Sequence, residues 1–295
     1  MITPQSGIFA QGTRSQYHLE FDVRPGTDPL DVAKAVAKLR EPLVTSGGTN
    51  LVVGFRAGLW RVIAPNDTPP DAHDFGGVEG DGRRAPATPH DVWVWLHGTG
   101  PDVLLDNARA VVATLAPVAT LAQEEPCFVY LDSRDLTGFI DGTENPPAED
   151  AAEVAIVPQG PGKCGSHVIT MKWVHDLEKF HALAAEEQEA VIGRTKPDSQ
   201  ERDDKPDTAH ISRVVIEEDG EELEIYRRST PYGTVGEHGL YFVAFSADPT
   251  RYEKMLNRMF GNDGPHDHLT DFTKPVSGAF YFAPSIQALK ALDEL

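Results

Sequence analysis

Cysteine is scarce: only Cys127 and Cys164 occur. One disulfide is the most that such a pair could form, and the two read as free thiols. A basic surplus is also missing. Lys and Arg number 26 against 46 Asp and Glu, a formal net charge of −20. That field repels DNA, RNA and anionic membranes unless a local basic patch offsets it. Arg83-Arg84 and Arg227-Arg228 are isolated pairs, so neither a nucleic acid nor a membrane is expected as a partner. No uninterrupted apolar stretch is long enough to cross a bilayer. The opening Met1-Ile2-Thr3-Pro4-Gln5 carries no basic segment followed by an apolar run and no twin arginine, so a cytoplasmic location is the expectation. Gly-Xaa-Ser-Xaa-Gly is absent, and no Lys-Ser/Thr follows Gly138-x-x-Asp141-Gly142. The usual signals of an α/β-hydrolase and a phosphate loop are therefore lacking.

What is present is an apolar fraction of 40%, enough for a real core in 295 residues. Tyr17–Val23 alternates like a strand. A helix follows, with Asp28 as N-cap and Pro29 at its first position, and Val32, Val36, Leu39 and Leu43 line one face. Leu51–Phe55 and Leu59–Ile63 read as a hairpin around Arg56-Ala57-Gly58, and residues 64–90 as a long surface excursion. Asp91–His97 is apolar on both faces, as in a covered sheet. A helix over Pro101–Ala116 ends at Pro117, and Cys127–Leu131 supplies the next strand. The order then replays: a strand at Ser166–Trp173, a helix at Asp176–Ile192, a hairpin of Ile211–Glu217 with Leu223–Arg227 turning at Asp219-Gly220, a strand at Leu240–Ser246, a helix at Pro249–Phe260 and a strand at Gly278–Phe282. The second half has one strand too many and a polar insert at Thr195–Thr208. The expected fold is α+β, two βαββαβ units with antiparallel sheets, divided as 1–135 and 136–295.

Three clusters can carry chemistry. Asp135 to Pro147 packs glycines, prolines, an asparagine and several carboxylates around Phe139-Ile140. Composition reads it as an interdomain linker; an aspartate held there and shielded from water could instead act as acid or base. His210 stands where the polar insert meets an expected strand, either as an ordinary histidine or as one pointing into an interdomain cavity. Arg227 and Arg228 end a strand beside a Pro/Gly turn, where an arginine is solvated or, if buried, needs an anionic partner. His266-Asp267-His268 lies in a Gly/Pro/Asp loop without a third nitrogen or thiol ligand to complete a zinc set.

Together these clusters resemble the dye-decolourising peroxidase family, its bacterial B-type members most closely. The residues that carry the resemblance are Gly138-Phe139-Ile140-Asp141-Gly142-Thr143-Glu144-Asn145-Pro146, His210-Ile211-Ser212-Arg213, Arg227-Arg228-Ser229-Thr230-Pro231-Tyr232-Gly233, Gly239-Leu240-Tyr241-Phe242 and Phe272-Thr273-Lys274-Pro275-Val276-Ser277-Gly278. The resemblance implies a pair of ferredoxin-like units with haem b (iron protoporphyrin IX) in the second. It implies His210 as axial iron ligand and Asp141 and Arg227 above the iron. Arg227 rather than Arg228 takes that place, because the family pattern sets the arginine four residues before Pro231. Gly142, Thr143, Arg213 and Ser229 are expected around the pocket, Leu240 and Phe242 as an apolar wall, and Asp267 as the carboxylate on the axial imidazole.

The implied activity is reduction of hydrogen peroxide coupled to one-electron oxidation of small aromatic reductants such as dyes and phenols. Trp173, Tyr226, Tyr241, Tyr252 and Tyr281 are either electron relays or core packing. A homo-oligomer is expected. No loading tail is visible around Ala291-Leu292-Asp293-Glu294-Leu295, so a role as encapsulin cargo is not. A haem-handling protein without turnover and a haem-free interaction domain are the alternatives.

Overall fold

The computed structural model describes residues 2–39 and 48–294. The first half contributes β1 (Ser15–Val23), α1 (Pro29–Ala37), β2 (Asn50–Phe55), α2 (Ala57–Ile63), β3 (Val78–Gly80), β4 (Arg83–Ala85), β5 (Val92–Gly98), α3 (Pro101–Leu115) and β6 (Ala119–Phe128). The second half contributes α4 (Ala151–Ala155), β7 (Ser166–His175), α5 (Leu177–His181), α6 (Ala185–Ile192), α7 (His210–Val214), β8 (Glu217–Glu218), β9 (Glu221–Glu222), β10 (Tyr226–Arg227), β11 (Thr230–Gly233), β12 (His238–Ser246), α8 (Thr250–Met259), β13 (Thr273–Pro275), β14 (Ala279–Ala283) and α9 (Ile286–Ala291).

Local chemistry explains most of these elements. The Asp28 side chain accepts from Leu30 N and Pro29 opens α1 where its missing N–H costs nothing. In α3, Leu104, Ala108, Val111 and Leu115 recur at three- and four-residue steps and are the buried residues. Every residue of β5 is buried.

Ten strands form one antiparallel sheet in the order β10-β12-β11-β6-β1-β5-β2-β14-β7-β13. β7 also pairs with β12, so the eight strands from β12 round to β7 close on themselves as a barrel. Within the first half the spatial order is β6-β1-β5-β2, and within the second β14-β7-β12-β11. Both put the fourth strand of the half beside its first and the third beside its second. The two halves meet at β2–β14 and β6–β11. The expectation of separate antiparallel sheets thus becomes one continuous, closed sheet.

Alternation along the strands divides the apolar residues between two faces. Trp93, Trp95, Val168, Tyr241, Val243, Phe245 and Tyr281 belong to one buried cluster inside the barrel. There the buried Glu20 carboxylate accepts from Tyr241 Oη at 2.6 Å and Tyr281 Oη at 2.5 Å. On the outer face, α1 and α3 cover the first-half strands. Ile169, Met171 and Trp173 of β7 pack outside toward α8.

Several expected elements differ. Residues 57–63 are a helix rather than a hairpin arm, because Ala57, Trp60 and Ile63 are buried at a three-residue step that only a helix brings to one face. β6 begins at Ala119, not Cys127; its first eight residues present few large apolar groups. The helix expected over Asp176–Ile192 breaks into α5 and α6, the second opening where Glu187 accepts from Ala184 N. His210 starts α7 instead of preceding a strand. The expected hairpin shrinks to β8 and β9, although its turn at Asp219-Gly220 stands, both residues having the positive φ that such a turn requires. Leu43, expected on the face of α1, lies outside the described residues. Cys127 and Cys164 are free thiols.

The β7–β12 pairing depends on Gly239. A Cβ there would lie 1.9 Å from Trp173 O, a backbone atom. Gly239→Ala is expected to destabilise the protein by about 1–3 kcal/mol. A thermal melt should show a fall of several degrees, and an unchanged Tm would show that the strand pair yields freely.

Candidate active site

A cavity lies against the outer face of β7 and β12. Ile169, Met171, Trp173, Leu240 and Phe242 form its strand wall, and Tyr252, Met255, Leu256 and Met259 of α8 line it as well. Leu240 and Phe242 were expected there.

His210 enters this cavity from the first position of α7, after Ala209 as N-cap. Its Nδ1 lies 2.6 Å from Asp267 Oδ2. Asp267 is fully buried, and its Oδ1 accepts from Leu269 N at 2.9 Å. A carboxylate in that place can accept from an Nδ1–H, the arrangement that would leave the Nε2 lone pair for a ligand. Two of the three residues of His266-Asp267-His268 face elsewhere: His266 meets Asp81 and Arg83, and His268 lies near Asp271.

The loop that follows β6 supplies Asp141, Gly142 and Thr143 to the same cavity. It is folded by its own backbone: Asp141 N donates to Ser133 O and Asp135 N to Phe139 O. Gly138 and Gly142 adopt positive φ, 93° and 80°, a conformation that glycine takes without a steric penalty. Asn145 then ties the loop to β10. Its Oδ1 accepts from Arg227 N at 2.7 Å and its Nδ2 donates to Arg227 O at 2.9 Å.

Arg227 lines the cavity, and its buried Nε has no partner among the described residues. Burial lowers its pKa, although Asp141 opposes that. Asp141 does not form a contact ion pair with it. Burial first, and then the Asp135 charge, push the Asp141 carboxyl up to about 6, with Arg227 acting the other way through space. Burial would raise Asp135 too, but His175 Nε2 at 3.0 Å and Thr137 N at 2.7 Å hold it down to about 2. One carboxyl of the pair is therefore fixed as an anion and the other titrates near neutrality.

Of the residues expected at the pocket, Arg213 lies elsewhere and Ser229 shares a cavity with Asp141 and Arg227 rather than the apolar chamber. Arg213, in the last turn of α7, is buried and donates to Asp263 O and Arg258 O, so it braces the turn after α8. Ser229 Oγ accepts from Val243 N at 3.2 Å and lines a second, more polar cavity that shares Asp141, Gly142 and Arg227 with the first. Arg194, passed over in the sequence, does line the main cavity, where it meets Glu144 and donates to Ser199 O. The available signal was its place directly after Gly193, the left-handed cap of α6. Trp173, Tyr226, Tyr241, Tyr252 and Tyr281 are all buried.

A site with a carboxylate-bound imidazole, a titrating carboxyl and a part-buried guanidinium in an apolar chamber has relatives. The family model described as Dyp-type peroxidase, N-terminal, matches residues 5–128, and that described as Dyp-type peroxidase, C-terminal, matches residues 132–288. The dye-decolorizing peroxidase of Rhodococcus erythropolis is 36% identical over 291 residues, covering 94% of this chain and 85% of the relative. Among solved structures, a dye-decolorizing protein from V. cholerae superposes with a TM-score of 0.90 at 38% identity, covering 98% of this chain and 99% of that one. A Rhodococcus jostii DypB variant in complex with heme gives 0.92 at 32% identity, covering 98% of each chain. With both halves matched in order and nearly the whole length aligned, the chain belongs to the Dyp-type peroxidase family.

Proposed function

We propose that this peroxidase binds haem b through His210, reduces hydrogen peroxide, and oxidises small organic donors such as dyes and phenols by one-electron steps. The observation that carries the reading is the His210–Asp267 bond in a cavity shared with Asp141 and Arg227. The fit of the cofactor rests on three features: a broad apolar chamber, an imidazole whose Nε2 is left for a metal, and a buried Arg227 Nε without a partner among the described residues. Haem bound there would supply the redox centre for O–O cleavage and for the single-electron oxidations.

The protein's own residues have distinct tasks. Asp267 fixes the orientation of the His210 ring and makes its Nε2 more electron-donating. Leu240, Phe242, Met255 and Met259 exclude water and strengthen the electrostatics inside. Converting peroxide to water requires a proton to leave one oxygen and one to reach the other. Asp141 can take that proton at its carboxylate and return it. Arg227 holds positive charge where negative charge develops as the O–O bond polarises.

The matching strand orders of the two halves support two ferredoxin-like units, 1–135 and 136–295, with the cofactor in the second. A homo-oligomer in the cytoplasm remains the working expectation for its assembly and location. Among the described residues no helix is long and apolar enough to cross a membrane.

Rapid mixing of the haem-loaded protein with peroxide tests the reading. A fast absorbance change that a phenolic donor reverses is expected, and plain bleaching of the haem would sink it. His210→Ala should lose the Soret band or most of the haem; an unaltered spectrum would refute the ligand assignment. Arg227→Ala should keep haem and react with peroxide about 10²-fold more slowly, the usual cost of one fixed charge at a polarising bond. Asn145→Ala, which frees the Arg227 backbone, should slow the same step about tenfold, as losing one to two kcal/mol of positioning would. A wild-type rate would show that Arg227 is held by other means.

The pH dependence follows from Asp141. Below about 6 its carboxyl is protonated and cannot accept a proton; above, it can. The peroxide reaction should therefore fall as pH drops through about 6, and Asp141→Asn should flatten that limb. A limb retained in the variant assigns it to another group.

A further inference from the structure

The hairpin β3–β4 belongs to the excursion between α2 and β5, and among the described residues its two strands pair only with each other. It does not stay at the surface of its own half. Val78 and Ala85 are buried in one cluster with Ile169, Met171, Trp173 and Phe260 of the second half. Gly80 approaches the end of α8 so closely that a Cβ there would collide with Phe260 O. Beside it, Asn262 Nδ2 donates to Glu79 O at 3.1 Å.

The hairpin thereby reaches the segment that carries Asp267. This carboxylate is the N-cap of a short 3₁₀ turn, His268–Asp271: its Oδ1 accepts from Leu269 N, which leaves Oδ2 facing His210 Nδ1. Arg83 grips both ends of that turn. Its Nη2 meets His266 Nε2 at 2.8 Å, directly before Asp267, and donates to Asp271 Oδ1 at the far end. A guanidinium can only donate, so His266 Nε2 accepts and Nδ1–H is left to meet Asp81 Oδ2 at 2.5 Å. Arg83 Nη1 completes the set by donating to Asp81 O at 2.7 Å. Arg83, His266 and Asp271 are each part-buried, which shelters these charge-assisted bonds from solvent.

We infer that Arg83 is a positioning residue for the axial imidazole, acting from the first half of the chain through the Asp267 turn. It does not line the main cavity and has no contact with His210. The inference deepens the peroxidase reading, in which His210 binds haem iron. An Asp267 held in one place keeps its bond to His210 short and the Nε2 electron-donating, and a turn free to shift weakens both. A fork is needed for this task, because two acceptors on either side of Asp267 have to be held at once.

Three variants test it: Arg83→Ala, Arg83→Lys and Arg84→Ala. Arg84 is exposed on the same hairpin and pairs with Glu79, so its variant controls for general loosening. Resonance Raman of the ferrous, haem-loaded protein reads the iron–histidine stretch. Arg83→Ala is expected to lower and broaden that band. Arg83→Lys, which keeps the charge but not the fork, should recover part of the shift, and Arg84→Ala should match wild type. Amide exchange at Leu269 and Thr270, whose N–H groups bond Asp267, should be about tenfold faster in Arg83→Ala, with haem or without. A wild-type band or wild-type exchange in Arg83→Ala overturns the inference, as does an equal effect of Arg84→Ala. A lowered Tm with the band unmoved overturns it too, by reducing Arg83 to a brace of the fold. A wild-type preparation without a Soret band refutes the haem reading alone, and the exchange rates then still decide whether Arg83 holds the turn.

Discussion

The pairing of β7 with β12 has to serve two interiors at once. Its inward residues, among them Val168, Tyr241 and Phe245, fill the barrel, and its outward residues, Ile169, Met171, Trp173, Leu240 and Phe242, wall the main cavity. A one-residue slip would exchange the two sets and put large aromatics where the chamber must stay open. A side chain at Gly239 would press on this pairing, because its Cβ would lie 1.9 Å from Trp173 O on the neighbouring strand. The register constraint also explains the apolar character of both faces. The same pairing closes the sheet, so the chamber is built on a wall without an edge to fray.

On that rigid wall the polar residues arrive from three separate segments, and electrostatics assigns their tasks. Two carboxyls lie near each other in the loop after β6. Burial is the larger reason that Asp141 ionises reluctantly, and the negative charge of Asp135, which His175 keeps ionised, adds to it. Asp141 is thereby poised near neutrality, the range in which a group can both accept and release a proton. The imidazole of His210 is governed differently, by a single buried carboxylate whose other oxygen is occupied by a backbone N–H. Asp141 and His210 are thus each governed by a carboxylate, Asp135 and Asp267, that does not line the main cavity.

Legibility in the sequence followed periodicity. α1, α3, β5 and β12 show strong local patterns, and their places were readable from them. β6 was read too short because the more buried positions among its opening residues are Ala119, Leu121, Gln123 and Glu125, too polar a set to mark a strand. α2 was read as a strand because seven apolar-rich residues can satisfy either period, and only the buried face of Ala57, Trp60 and Ile63 separates the two. At the site, Asp141, His210 and Arg227 were legible through a long motif rather than through composition. Ser229 shared that motif and lines a cavity with Asp141 and Arg227, whereas Arg213 shared it yet points from α7 to the turn after α8. A motif records which residues accompany a fold, but side-chain direction depends on α7 being a helix, which the sequence did not signal. Arg194 was missed for the opposite reason: it stands outside any motif and reaches the cavity only because α6 ends in a left-handed glycine.

The clamp between Asn145 and Arg227 has a consequence for how such a site can change. Asn145 grips the amide and carbonyl of residue 227 and leaves its guanidinium untouched. The position is therefore specified by groups that every residue except proline possesses. Chemistry at that point can be exchanged while its address is kept, so a lineage, or an engineer, can sample lysine, histidine or a neutral side chain at 227 without rebuilding the loop. What cannot be varied independently is the asparagine, and the cost of novelty at this site is carried by a residue that performs none of the chemistry.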